Sequence, residues 1–266
     1  AVDPQVIRDH LKKERGIKAV LTTLCETSTG TLSDISQIGE IVGKTDALLI
    51  VDAVSGLGAD DMQTDNWGVD ICVSGSQKGM MTPPGLAFCT VSKKAWKAEE
   101  TADLPKYYWS FKEYKKAMGK GQTPYTPAVS LIVGLKTALD MISSEGIENI
   151  IARHTRLAGA CRAGVEALGL ELFSKKPANA LTAVKAPAGV DGEALKSTLD
   201  KKYGVKVAGG QAHLKGKIIR FAHLGYSATF DMVTAISALE FSLKDLGYKA
   251  ELGVGVKAAE EILHQA

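Results

Sequence analysis

The sequence predicts an α/β protein: a helix-covered, mostly parallel sheet in the first half and a smaller α+β domain in the second. Three features carry this reading. Helix-like and strand-like segments alternate from the first residues onward. The strand-like runs are short and almost unbroken in apolar residues, as strands buried on both faces are. After Gly169 the rhythm changes, with strand-like runs set more closely between helices.

Taken in order, Asp3-Pro4 reads as a helix N-cap followed by proline at the first helical position, and the amphipathic pattern continues from Val6 to Arg15. Ile17 to Leu24 is β-branched and apolar and predicts a strand. Ser33 opens a second helix, with Ile35, Ile38, Ile41 and Val42 at helical spacing. Further strands are expected over Ala47–Val51, stopping at Asp52; over Asp70–Val73, stopping at Ser74-Gly75-Ser76; and over Gly85–Val91. Residues 92–127 are mixed. Ala128–Ser144 predicts a long helix with Leu131, Val133, Leu135, Ala138, Leu139 and Met141 on its apolar face, and Ile147–Leu168 a second one. Beyond them, strands are expected at Leu170–Phe173, Ala180–Val184, Val205–Ala208 and Ile218–Ala222, with helices at Gly192–Lys202 and Thr229–Leu246. A boundary near residue 146 divides the chain into 1–146 and 147–266.

Composition narrows the function classes. The 266 residues are 45% apolar and 23% charged, which excludes intrinsic disorder. Lys+Arg 32 against Asp+Glu 30 gives no basic excess to direct the chain to nucleic acid. No apolar run reaches the ~18 residues of a membrane span. Cys25, Cys72, Cys89 and Cys161 form no C-x-x-C pair, and three sit in or beside apolar stretches. They read as structural thiols of a reduced, cytoplasmic protein. The chain starts Ala-Val-Asp-Pro with neither Met nor a charged-then-apolar leader, so it reads as processed or as a piece of something longer.

Polar residues gather just after three of the expected strands: 26–30, 52–55 and 74–78. In open α/β sheets ligands bind outside the carboxyl ends of strands, so these clusters converge on one crevice. Asp52 and Lys78 are its centre. A pyridine cofactor needs a carboxylate at its ring nitrogen to keep that nitrogen protonated, and a lysine amine to form an imine with its aldehyde. Ser74, Ser76 and Gln77 supply neutral donors suited to a phosphate, while Gly75 and Gly79 allow a tight turn. Arg220 lies in the apolar run Ile218–Ala222, where a charge is costly unless partnered. No His/Cys/Asp spacing supports a metal.

The segments E-T-S-T-G (26–30), V-D-A-V-S-G-L-G (51–58), S-G-S-Q-K-G (74–79), P-P-G-L-A-F (83–88), T-P-Y-T-P (123–127) and A-G-G-Q…L-K-G-K-I-I-R-F-A-H-L-G (208–225) resemble the class V aminotransferases. These are pyridoxal-phosphate (PLP) enzymes of fold type I, and the resemblance is to the alanine–glyoxylate and serine–glyoxylate (serine–pyruvate) group. It implies a large PLP-binding α/β domain, here incomplete, and a small C-terminal domain. It makes Lys78 the Schiff-base lysine and proton shuttle, and Asp52 the partner of the pyridinium nitrogen. Val54 packs on one ring face, although plain core is an equal reading. Thr27 bonds near the ring's phenolic oxygen. Gln77 contacts the phosphate, with Ser76 as a second candidate. Thr126, with Tyr125 beside it, reaches the cofactor of the neighbouring subunit in a homodimer with shared sites; Thr126 is also a candidate cap for the helix that follows. Arg220 binds the α-carboxylate of the amino or 2-oxo acid as a planar fork. His223 reads as a structural histidine.

The resemblance covers the C-terminal two-thirds of such an enzyme. A Gly/Ser-rich phosphate loop and an aromatic residue on the second ring face, expected from a preceding segment, are not in the chain. Transamination between alanine or serine and glyoxylate or pyruvate is the leading expectation. The alternatives are a class V β-lyase of the cysteine desulfurase kind, which needs a reactive Cys and usually has His where Gln77 stands, and a truncated, non-catalytic subunit.

Overall fold

The computed structural model describes residues 1–265. The first half runs α1 (Pro4–Lys13), β1 (Ala19–Thr23), β2 (Cys25–Glu26), β3 (Thr31–Leu32), α2 (Ile35–Val42), β4 (Leu48–Asp52), β5 (Ile71–Gly75) and β6 (Ala87–Val91). A helical middle follows, with α3 (Lys93–Glu99), α4 (Phe111–Met118), α5 (Val129–Glu145) and α6 (Ile147–Ala167). The second half contains β7 (Leu181–Lys185), α7 (Gly192–Tyr203), β8 (Ala208–Gly209), β9 (Ile218–Ala222), α8 (Thr229–Asp245) and α9 (Val254–Leu263). Among the described residues no helix is long and apolar enough to cross a membrane.

Two sheets organise these elements. The first has the order β1-β4-β5-β6, with β1, β4 and β5 parallel and β6 antiparallel. The helix between β1 and β4 provides the crossover a parallel pair requires, whereas the loop after β5 turns straight back and delivers β6 antiparallel. Ile35, Ile38 and Val42 of α2 pack with Leu24, Leu49 and Val51. The second sheet, order β7-β9-β8, is antiparallel throughout. Its Val184, Ile219 and Phe221 meet Leu157 of α6 and Ile236, Leu239 and Leu243 of α8 in a separate core.

Most expected elements appear with shifted ends. Asp3 caps α1 through the Gln5 N–H at 2.9 Å. The cap of α2 is Asp34, which accepts the Gln37 N–H at 2.9 Å, rather than Ser33. The strand expected over Ile17–Leu24 ends at Thr23, because residues 25–32 fold into the short ribbon β2–β3. Leu170–Phe173 contributes only an isolated Leu172–Val184 bridge, and Val205–Ala208 shrinks to the two-residue β8. Helix α9 was not expected. It is fastened by the buried Glu240 carboxylate, which accepts the N–H groups of Gly253, Gly255 and Val256 at 2.7, 2.8 and 3.1 Å. The apolar face of α5 is real but open: of its six residues only Ala138 is buried, and Val133 is 61% exposed. Periodicity identifies a face; it does not supply the surface that covers it.

Candidate active site

The parallel register brings the carboxyl ends of three strands level, with Thr23 opposite Asp52 and Asp52 opposite Val73. Asp52 is the last residue of β4. One carboxylate oxygen accepts the Val54 N–H at 2.9 Å and fixes the turn that follows. The side chain is exposed, so its second oxygen is available to a ligand.

Lys78 follows β5 in a loop held from behind by Ser76. The Ser76 hydroxyl is fully buried; it donates to the Pro83 carbonyl at 2.7 Å and accepts the Leu86 N–H at 3.2 Å. Both of these bonds are internal, and through them the hydroxyl braces the loop. Gln77 is exposed and Lys78 half-buried. Gly79 is required by contact, since a Cβ there would lie 2.0 Å from the Leu57 carbonyl oxygen. The turn after Asp52 and the turn bearing Lys78 thus touch backbone to backbone.

Thr27 lies in the β2–β3 turn and shares a hydrogen bond with the Ser55 hydroxyl, joining that turn to the one after Asp52. Val54 is half-buried on the same turn. The Cys25 thiol beneath them is pushed up to about 12 by burial, with Asp60, Glu26 and Asp52 adding to the shift and Lys78 opposing it. Asp52, Lys78 and Glu26 therefore share one electrostatic neighbourhood. Burial also holds Cys72 at about 11 and Cys161 at about 12, and raises the exposed Cys89, so none of the four is poised as a thiolate nucleophile.

Arg220 reaches this neighbourhood from the second sheet. It is 8% exposed. Its Nε–H and an Nη2–H donate to the Gly209 carbonyl at 3.0 and 2.8 Å, and an Nη1–H to the Thr27 carbonyl at 2.6 Å. A guanidinium has five N–H groups. Three hold it in place, which leaves one on each Nη for an incoming carboxylate. Glu26 stands nearby. Its carboxyl is held below the usual range by the Ser28 hydroxyl and N–H, with the Arg220 charge assisting.

The structure does not bring Tyr125 and Thr126 to this cluster. They line an open hollow of about 580 Å³ with Gly121, Gln122, Thr123, Pro127 and Ile132. Tyr125 stacks on Tyr108 with ring centroids 4.5 Å apart. Thr126 does not cap α5, whose N-cap is Ala128 with no side-chain bond. His223 is the structural histidine expected: it is fully buried, its Nδ1–H donates to the Asn179 carbonyl at 2.8 Å, and its Nε2 accepts from Thr182 at 2.8 Å. His154 is also buried and accepts the Gly225 N–H at 2.9 Å, a joint that its helical position did not advertise. Glu26 and Ser55 stood inside the recognised segments without an assigned part. Their contacts lie across turns, where no periodicity reports them.

An α/β sheet with its chemistry at level strand ends, reached by an arginine from a second sheet, places the chain among the PLP-dependent transferases of fold type I. Within that class it belongs to the class V aminotransferases, the family that matches residues 1–235. It is 47% identical over 258 residues to the soluble hydrogenase small subunit of Synechococcus sp. (strain PCC 6716), a match covering 96% of this chain and 67% of that protein. Serine–glyoxylate aminotransferase of Hyphomicrobium methylovorum is 41% identical over 262 residues, 95% of this chain and 65% of the relative. The crystal structure of pyridoxamine–pyruvate aminotransferase from Mesorhizobium loti superimposes with a TM-score of 0.95 at 35% identity, over 99% of this chain and 69% of that one. The chain thus spans about two thirds of the length of these relatives.

Proposed function

We propose that this chain carries the central machinery for transamination between a small amino acid, alanine or serine, and a small 2-oxo acid, glyoxylate or pyruvate. The observation that carries the reading is the interlock of the Asp52 and Lys78 turns, together with the partly unfilled guanidinium of Arg220 bound to the Thr27 turn that Ser55 joins to them. The residues fit PLP: an outward carboxylate oxygen stands at a strand end, an amine on the adjoining turn, and glycine where a side chain would force the two apart. When bound, the cofactor supplies an aldehyde that captures amino groups and a protonated ring that accepts the electron pair left at the substrate's Cα.

Lys78 would hold the cofactor and carry the proton on and off Cα. Asp52 would hold the proton at the ring nitrogen. Thr27, steadied by Ser55, would bond beside the ring oxygen, and Val54 would cover one ring face. Gln77 offers an amide donor to the phosphate. Arg220 would take the substrate's α-carboxylate with its two remaining N–H groups. Tyr125 and Thr126, which line a separate open hollow, would serve the partner's site in a homodimer with shared sites. Residues 1–146 form the cofactor-binding part and 147–266 the small domain, and the unpaired cysteines fit the reducing cytoplasm. The β-lyase reading is disfavoured by thiols that burial keeps protonated.

Borohydride treatment of the PLP-loaded chain, followed by peptide mapping, tests this. The pyridoxyl label is expected on Lys78 and lost in Lys78→Ala. A label on other lysines only overturns the assignment.

A further inference from the structure

Behind the candidate site, between the two cores, lies a buried seam of polar groups that the chemistry above does not use. Asp60 is 4% exposed and closes the turn that leads away from Asp52. Within that turn the Leu57 N–H donates to Ala53 and the Asp60 N–H to Gly56, both at 2.9 Å. One oxygen of the Asp60 carboxylate crosses the seam and accepts the Asn179 N–H at 2.9 Å. The other is buried without a partner among the described residues. On the opposite side Arg162 of α6 donates to the Ala178 carbonyl, and its Nε–H is likewise buried and unpartnered. Each of these charges acts on the other.

Two buried charges that attract each other without closing a salt bridge contribute little to stability, because desolvation offsets the attraction. Their position explains more. The Asn179 carbonyl accepts from His223, and the His223 N–H donates to Ala180 at 3.2 Å, so the segment before β7 is bound to the end of β9. Strand β7 then pairs with β9, with Ala183 opposite Arg220. On the other side of Asp60, the same turn abuts Gly79 and carries Ser55, which holds Thr27. One carboxylate therefore links the turn after Asp52 to the strand pair that presents Arg220.

We propose that Asp60 is a positioning residue: facing Arg162, its carboxylate clamps the Ala178–Thr182 segment to the Ala53–Asp60 turn and so sets the separation of Arg220 from Asp52 and Lys78. The proposal rests on the reading of Arg220 as the carboxylate binder and of Asp52 and Lys78 as the cofactor pair.

Two measurements on the purified full chain test it, with Asp60→Asn removing the charge at constant shape and Arg162→Gln removing its counterpart. The first is hydrogen exchange without cofactor. In Asp60→Asn, the Asn179 amide and the Thr27–Gly30 turn across the seam should exchange ~10-fold faster or more, with β4 and β5 unchanged. Acceleration confined to 178–182, or spread evenly over the chain, overturns the clamp. The second is a pair of absorbance titrations, with PLP and then with L-serine added to the loaded chain. Asp60→Asn should leave the PLP dissociation constant within ~3-fold and raise that of L-serine ~10-fold or more, as misplacement of a positioning group does. Arg162→Gln should shift the same constant in the same direction, and the double variant no further than the larger single one. Equal weakening of both ligands, or an unchanged L-serine constant, overturns the proposal. Arg162→Gln carries both measurements if Asp60→Asn does not fold. Failure of the unaltered chain to bind PLP overturns the functional reading instead, and hydrogen exchange alone then decides the clamp.

Discussion

The two halves of the chain bury themselves differently. The second core joins nineteen buried residues from α6, α7, α8, α9 and both long strands, while the first joins ten, largely from α2 and the strands it covers. Leu239 and Leu243 are fully buried, whereas Leu21, central in β1, is 75% exposed. The apolar side of α5 is only partly covered: Ala138 is buried and Leu131 and Leu135 half-buried, while Val133, Leu139 and Met141 are exposed. Asp52 and Lys78 belong to the lightly packed half, and Arg220 to the heavily packed one. The difference teaches that the main core and the candidate cofactor groups are housed apart, with the more deeply packed second sheet holding one guanidinium against a thinner platform.

The seam between the halves offers the largest test. Burial lowers the His223 pKa from 6.5 to about 3, so the folded chain refuses a proton that the unfolded chain accepts below about pH 6.5. Stability should fall as pH drops through the window from about 6.5 to about 3. Asp60 acts in the opposite sense. Burial raises it from 3.8 to about 6, so between those values the folded chain keeps a proton that the unfolded chain has lost, and stability rises as pH falls. At ~1.4 kcal/mol per pKa unit, acidification from about pH 7 to about pH 4 costs roughly 3.5 kcal/mol through the histidine and returns roughly 3 through the aspartate. Urea unfolding across that range should show a net loss of no more than ~1 kcal/mol, and His223→Gln should turn it into a gain of ~2–3 kcal/mol. An acid response left unchanged by His223→Gln would break the picture of a neutral, buried histidine.

A paired substitution sharpens the contrast between the halves. Asp52→Asn should cut amino-group transfer by the equivalent of ~3–5 kcal/mol in the barrier, because it removes a charge that acts on the reacting system. The same variant should keep its stability within ~0.5 kcal/mol, as an exposed side chain does. Leu239→Ala should do the reverse, destabilising the fold by ~2–5 kcal/mol through the cavity it leaves. Thermal melts alongside turnover check both; a marked loss of stability in Asp52→Asn would merge what the structure separates.

How much of this was legible in the sequence follows the same division. The placing of Asp52 and Lys78 could be read because one closes an apolar run and the other closely follows one, and strand ends are where an α/β sheet presents its ligand groups. Arg220 stood out as a charge inside Ile218–Ala222. What could not be read depends on contacts between distant segments. The Thr27–Ser55 bond, the Arg220–Thr27 contact and the seam at Asp60 all arise from partners that no local pattern announces. Helix α9 was overlooked because its cap, Glu240, comes from another helix. The α5 face was legible as an apolar stripe, but periodicity is blind to whether anything lies opposite.

The smallest expected effect belongs to that face. Val133→Lys should change stability by no more than ~0.5 kcal/mol, since the side chain is already mostly in solvent. It should nonetheless reduce self-association in sedimentation velocity, by placing charge in an apolar patch. Unchanged sedimentation would show that the α5 face does not mediate contacts between copies.

The contact of Gly79 with Leu57 fixes a dimension of the molecule. Where two functional groups sit on long side chains, their spacing is chosen by rotamers and can drift. Here the roots of the amine and the carboxylate are set by two main chains touching, so the turns behave as one casting. A bulkier residue at 79 would widen the crevice at its base and displace both groups together, a shift that no repair at either functional side chain could reverse. The spacing is a property of the backbone, and the hydrogen atom that serves as the Gly79 side chain is its gauge.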